Sequence, residues 1–481
     1  MKFGGTSVGN AVRFRQCESI IRSAAPQDQI IVVVSAVAGV TDLIVNTIDA
    51  AQRGDVEVME KYLETFDAIH RKLLHDLFRH DRLMRLLVVV SGYAGQLRDC
   101  CRALCSLGLA SSPETSDLLL ALGEKISASV LAGYLCEMGV EAQFVPGENI
   151  ITTDEAFGNA VPDMEATRRN CTGNVLPLLN RSVIPVIAGY TGATANGQTT
   201  TLGRGGSDYS ASIIAAATSS DEVWIWTDVD GVLTADPHLC PDATTLSEIN
   251  FAQAIDLAYY GAKVIHRKAI YPALQSGIPM WVKNSFRPNT HGTRISRNGR
   301  SIDMPLDAVT CLNHAVLMTL VARHETQSSE LFGRLILRLG QEQIDVLLAA
   351  QSFPQGKLEL IVRGEDRARA LELIRSTLRS ELAHGILSPV AVQKEVAVVA
   401  VLGGDGQTSR HSTAIALAAL SQRGLDILAF AGGSNGRSVC LALPTTSAAE
   451  AVRLIHQELN RKHTMRIPLF CQADTEALTE S

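Results

Sequence analysis

Thr201-Leu-Gly-Arg-Gly-Gly-Ser-Asp-Tyr-Ser210 puts three glycines, one arginine and one aspartate within ten residues, directly ahead of a helix-forming Ala/Ile segment at 210–218. Glycines let a backbone approach a ligand closely and expose its N–H groups. A helix start adds a partial positive charge. Such a loop suits an anion, and Arg204 suits a carboxylate or phosphate. A second glycine loop, Lys2-Phe-Gly-Gly-Thr-Ser7, stands near residue 1.

Buried strands lead into these loops. Residues 28–36, 183–189 and 222–226 are β-branched apolar runs, and residues 41–135 between the first two have helical spacing. Fully buried strands alternating with helices predict a three-layer α/β domain with a mainly parallel sheet, ending near residue 300. Ligands in such sheets lie beyond the strand carboxyl ends, where Ser35, Thr227 and Asp228 fall. From 314 onward a pattern of strand, helix, two strands and helix occurs twice. Its first copy has strands 315–323, 346–352 and 357–363 with helices 328–343 and 366–382. Its second has strands 396–402, 427–430 and 438–443 with helices 412–423 and 447–459. This reads as a ferredoxin-like repeat.

The chain has 481 residues, enough for about three domains. It is 46% hydrophobic and 19% charged, with a net charge of −7 and no Lys/Arg run, which argues against a nucleic-acid partner. Apolar runs such as 30–34 are too short to span a bilayer, and nothing reads as a signal peptide, so no membrane partner and a cytoplasmic location are expected. Ten scattered cysteines read as reduced core residues. The Cys100, Cys101, Cys105 group lacks the second pair and nearby histidine of a metal site.

Read in order, Lys2–Val8, Val34-Ser-Ala36 with Thr41, Leu122-Gly-Glu124, the 201–210 loop, Ile225-Trp-Thr-Asp-Val-Asp-Gly231 and Gly261-Ala-Lys-Val-Ile-His266 resemble the aspartokinases of the amino-acid kinase family. The resemblance implies an amino-acid kinase domain over 1–300 and two ACT units. These are 314–394, completed by a tail strand within 463–474, and 395–462. It implies ATP-dependent phosphorylation of the L-aspartate side-chain carboxylate, with magnesium arriving on ATP. The alternatives are another amino-acid kinase with a glutamate-type substrate, or a catalytically weak kinase fold serving as a sensor.

Resemblance assigns Lys2 to the transferring phosphate and Asp208 to organising that lysine. A solvated lysine and a helix N-cap are their plainer readings. Arg204 is assigned to the substrate carboxylate, Glu124 to its ammonium, and Ser35 and Thr41 to holding it. Taken alone, Glu124 reads as an exposed helical residue. Gly4, Gly5, Thr6, Ser7, Thr227, Asp228 and Lys263 are assigned to the nucleotide, whereas Trp224, Trp226 and His266 read as structural.

Three residues depart from the pattern. Leu233 and His238 stand where tyrosine and arginine are common, and Arg267 replaces a proline. Loss of a fixed guanidinium removes a contact worth about 1.5–3 kcal/mol, so weaker ATP binding is expected. The regulatory half resembles threonine-regulated aspartokinases fused to homoserine dehydrogenase. Only a short polar stretch follows residue 474, which reads as a monofunctional chain. Gln351 and Ser352 match the effector turn, with threonine, then lysine, as effector, and Gly432 replaces a glutamine in the second unit. A homodimer or higher homo-oligomer through the ACT units is also implied.

Overall fold

A computed structural model of the chain describes residues 1–262, 264–299, 308–323, 328–352, 355–403, 407–432 and 438–464. The chain divides into two compact units. One holds Met1–Val232, Thr245–Ala258 and Lys263–Arg300, and the other holds Leu233–Thr244, Tyr259–Ala262 and Ser301–Ser481.

The first unit opens with β1 (Lys2–Phe3), α1 (Ala11–Ala24), β2 (Val32–Val34), α2 (Val40–Gln52), α3 (Val56–Leu77), α4 (His80–Leu107) and α5 (Pro113–Glu137). Next come β3 (Ala142–Val145), β4 (Thr152–Thr153), α6 (Met164–Asn174), α7 (Leu176–Leu179), β5 (Ile184–Ala188), β6 (Thr191–Thr194), β7 (Thr199–Thr201), α8 (Gly206–Thr218) and β8 (Val223–Thr227). It closes with β9 (Glu248–Asn250), α9 (Phe251–Tyr259), α10 (Arg267–Ser276), β10 (Met280–Asn284) and β11 (Thr293–Ser296).

Side chains and proline set several helix starts. Asn10 and Asp55 accept the N–H groups of Arg13 and Val58, and Ser112 accepts that of Thr115 with Pro113 in the first helical position. The main sheet runs β3-β5-β2-β1-β8-β10-β11-β9. The steps from β3 to β10 are parallel, so β1, β2, β5 and β8 release their loops at one edge. The chain order reverses between β1 and β8, which opens a crevice at that edge.

By length and composition α5 could cross a membrane, but 78% of its apolar window is buried inside this unit. Reading only uninterrupted apolar runs misses it, because Gly123, Glu124 and Lys125 break the run. Both Asp117 and Glu124 on this helix are buried.

The second unit comprises β12 (Ala308–Val321), α11 (Ser328–Gln341), β13 (Val346–Ser352), β14 (Lys357–Arg363), α12 (Arg367–Thr377), α13 (Arg379–Ala383), β15 (Ala391–Leu402), α14 (Gln407–Gln422), β16 (Ala429–Gly432), β17 (Ser438–Pro444) and α15 (Thr445–Thr464). Its sheet, β13-β14-β12-β15-β17-β16, sets the two repeats side by side across the antiparallel β12–β15 pair. Sequence reading begins these two strands late, at Ala315 and Val396. Each strand in fact runs through a left-handed residue, His314 (φ 64°) or Glu395 (φ 61°), where the β12–β15 register shifts. Leu233–Thr244 contributes Ala235 and Cys240 to the core formed by the second repeat. Thr234 Oγ1 lies 3.0 Å from Nε2 of the buried His456 on α15. The expected tail strand, 465–471, lies outside the described residues.

Candidate functional site

The loop between β7 and α8 shows why its glycines are needed. Gly203 (φ 77°) and Gly205 (φ 70°) take left-handed conformations. A Cβ on Gly205 would lie 2.2 Å from His266 Cβ, and one on Gly206 would lie 2.5 Å from the Tyr190 ring. The helix starts at Gly206, four residues earlier than the sequence reading, because glycines mask its first turn. Gly205 is therefore the N-cap, and Asp208 sits in the first turn, where its charge favours the helix dipole.

Parallel pairing brings this turn beside β1. Lys2 Nζ lies 2.6 Å from Asp208 Oδ1, and both side chains are largely buried. Lys2, Ser35, Thr41, Glu124, Arg204 and Asp208 all line one cleft of about 520 Å³, together with Gly5, Gly158, Gly203 and Tyr190. The cleft thus gathers the expected transfer residues and all four expected substrate residues. Gly123 explains how α5 reaches it, since a Cβ there would lie 2.8 Å from Ala36 Cβ.

Glu124 is not the exposed helical residue its local sequence suggests. It is 4% exposed, and Oε2 has no hydrogen-bond partner. Burial raises its pKa to about 8, opposed by a backbone hydrogen bond from Ala36 and by the charge of Lys2. A buried carboxyl with an unused oxygen suits an incoming cation.

The expected nucleotide residues are less uniform. Gly4 follows β1, and Gly5 lines the cleft with the adjacent loop exposed at Thr6. Ser7 differs from the expected ligand contact. It is 1% exposed, its hydroxyl lies 2.7 Å from that of Ser285, and it donates to Trp226 O, so the side chain ties β1 to β8. Thr227 donates to Asp228 Oδ1 at 3.2 Å at the end of β8. Lys263 lies outside the described residues. Of the departing residues, Leu233 and the exposed His238 fall in the segment grouped with the second unit, and Arg267 begins α10.

Trp226 stacks on Phe3, and His266 caps α10 by accepting the Lys268 N–H, as structural residues do. Sequence reasoning missed Tyr190, which lines the cleft with φ 67°. It also missed Asp230, which accepts from Asn284 Nδ2 at 2.7 Å and pairs with Arg287 near the end of β8. Tyr190 carries no local signature, and Asp230, although it lies in the Ile225–Gly231 motif, shows its role only through Asn284 and Arg287, distant in the chain. Among the described residues no group of three or more His, Cys, Asp or Glu gathers as a metal site.

In the second unit, Gln351 and Ser352 end β13, with Gln351 exposed. Gly432 holds the corresponding place at the end of β16.

The amino acid kinase family model matches residues 1–284. The lysine-sensitive aspartokinase 3 of Escherichia coli K12 is 30% identical over 460 residues, covering 95% of this chain and 98% of that protein. A bifunctional aspartokinase/homoserine dehydrogenase of Haemophilus influenzae is 29% identical, covering 95% of this chain. This chain spans 56% of that relative's length. The crystal structure of E. coli aspartokinase III with aspartate and ADP, in the R-state, matches with a TM-score of 0.78 and 29% identity, covering 95% of this chain and 99% of that one. The T-state structure with lysine and aspartate matches with a TM-score of 0.73.

Proposed function

The chain belongs to the amino acid kinase family, among its aspartokinases, and from that premise we propose that it transfers the γ-phosphoryl group of ATP to the side-chain carboxylate of L-aspartate. The observation that carries this reading is the cleft itself. It combines a buried Lys2–Asp208 pair, a buried carboxyl with a free oxygen and a guanidinium on a glycine loop.

The acceptor carboxylate is ionised at neutral pH and needs no strong base. The difficulty is repulsion: two like charges ~4 Å apart cost about 4 kcal/mol in an intermediate dielectric. Positioning and charge neutralisation are therefore the chemistry required. Glu124 receives the substrate ammonium through Oε2, and Arg204 the α-carboxylate. Ser35 and Thr41 hold the acceptor in place. A side-chain oxygen then attacks the γ-phosphorus as the bond to the bridging oxygen breaks, giving 4-phospho-L-aspartate and ADP. Lys2, held by Asp208, neutralises the moving charge. Gly4, Gly5, Thr6, Thr227 and Asp228 form the nucleotide side, with Ser7 fixing the loop, and the role of Lys263 toward the nucleotide rests on the resemblance alone. Magnesium, carried on the nucleotide phosphates, supplies further charge neutralisation.

The paired repeats serve as an amino-acid sensor, with threonine or lysine acting at the Gln351 turn, and as a contact between copies of the chain. A coupled ADP-release assay with aspartate, with glutamate and without acceptor tests the catalytic reading. Aspartate alone is expected to support turnover, and equal rates without acceptor would refute the assignment.

A further inference from the structure

Seven residues before Glu124, close to two helical turns, α5 carries a second buried carboxylate, Asp117, which is 2% exposed. It holds Gly158, in the wall of the cleft, and Thr201, at the start of the loop that carries Arg204. Oδ2 accepts the backbone N–H of Gly158 at 2.8 Å and that of Thr201 at 2.7 Å, and Oδ1 accepts the Thr201 hydroxyl at 2.8 Å. Gly158 lines the cleft, and Thr201 stands two residues before Gly203 and three before Arg204, which also line it. The Tyr190 backbone is held in its left-handed conformation by donating to Ser210 Oγ and accepting from Leu202 N–H, each at 2.9 Å.

We propose that Asp117 is the positioning residue that holds the Arg204 loop and the Gly158 wall at a fixed distance from Glu124. One rigid helix then presents the ammonium acceptor directly and clamps the carboxylate donor through Thr201. This inference rests on the assignment of Glu124 and Arg204 to the amino-acid substrate. A neutral cap could not replace the carboxylate in full, because three donors converge on its two oxygens. Asparagine comes nearest. Its Oδ1 can accept both N–H groups, and its Nδ2 can donate to a Thr201 hydroxyl that turns its own proton elsewhere.

The test is steady-state kinetics per folded active site on Asp117→Ala, Asp117→Asn and Thr201→Val, with aspartate and ATP varied separately. Asp117→Ala is expected to raise the KM for aspartate about tenfold or more, while the KM for ATP moves less than about twofold. Asp117→Asn should restore the aspartate KM to within about threefold of wild type, and Thr201→Val should fall between. Equal rises in both KM values, or a loss of kcat alone, would overturn the proposal. If Asp117→Ala does not fold, Asp117→Asn and Thr201→Val decide it on the same split. A wild type without aspartate-dependent turnover would refute the underlying assignment instead, so the two failures are distinct.

Discussion

The cleft of the first unit and the strand ends of the second both sit where sequence reading expects an amino acid to bind, yet they are built differently. In the cleft, ionisable groups are buried and held in place before any ligand arrives. Lys2 is paired with Asp208, and Glu124 is held in the core with one oxygen unused. At the strand ends, Gln351 is exposed and Gly432 offers no side chain. Burying charge is costly unless it is paired or used, so the cleft reads as a site built for chemistry. An exposed amide contributes only a modest hydrogen bond, which suits a sensor that must release its ligand.

The largest effect should come from the ion pair. Lys2→Ala and Asp208→Ala are each expected to lower kcat by about 10²–10³-fold, with the fold retained by circular dichroism. More than a tenth of wild-type turnover in either variant would break the contrast, because buried pairing would then carry no chemistry.

Arg204→Ala comes next. It is expected to raise the KM for aspartate about 10–100-fold, as loss of a charge-assisted contact would, and the KM for ATP far less. A dominant effect on ATP would move Arg204 to the nucleotide side.

Glu124 sharpens the contrast through pH. Its pKa in the folded protein, about 8, lies above the ordinary 4.5. The free cleft is therefore mostly protonated below pH 8, and ammonium binding must displace that proton. Affinity for aspartate should fall as pH drops from 8 toward 6.5, by up to about tenfold per unit. The same shift favours the folded state fully below the unfolded pKa, and that contribution is lost as pH rises through 8. Glu124→Gln should thus melt higher than wild type at pH 9 while binding aspartate more weakly. Calorimetric melting and binding titrations check both signs, and a variant that melts lower at pH 9 would contradict the buried-acid account.

The smallest effect belongs to the strand ends. Gln351→Ala should move the midpoint of inhibition by threonine or lysine about three- to tenfold without changing uninhibited turnover. An unmoved curve would leave the repeats as an assembly device only.

The contrast also separates what the chain shows on its face from what it hides. The parallel sheet was legible because buried strands such as 184–188 are continuous apolar runs. The duplicated second unit was legible in its repeat. The start of α8 was not, since glycines carry no helix signal. Nor were the first parts of β12 and β15, where a polar residue at a bulge looks like a strand end. In the cleft, Lys2, Glu124, Arg204 and Asp208 were legible only through several motifs in order. Glu124 alone looks like a surface residue, and only the packing of Gly123 against Ala36 explains its burial. Asp117 and Tyr190 were missed because their meaning lies in contacts 84 residues away, for Asp117 with Thr201, or in a backbone angle.

The central claim is that the cleft directs phosphoryl transfer to a side-chain carboxylate, and hydroxylamine trapping tests it most directly. With ATP, magnesium and L-aspartate, the acyl phosphate should be captured as the side-chain hydroxamate of aspartate, identified by mass spectrometry, in step with ADP release and absent in Lys2→Ala. ADP release without hydroxamate, or a hydroxamate formed from glutamate in preference to aspartate, would contradict it.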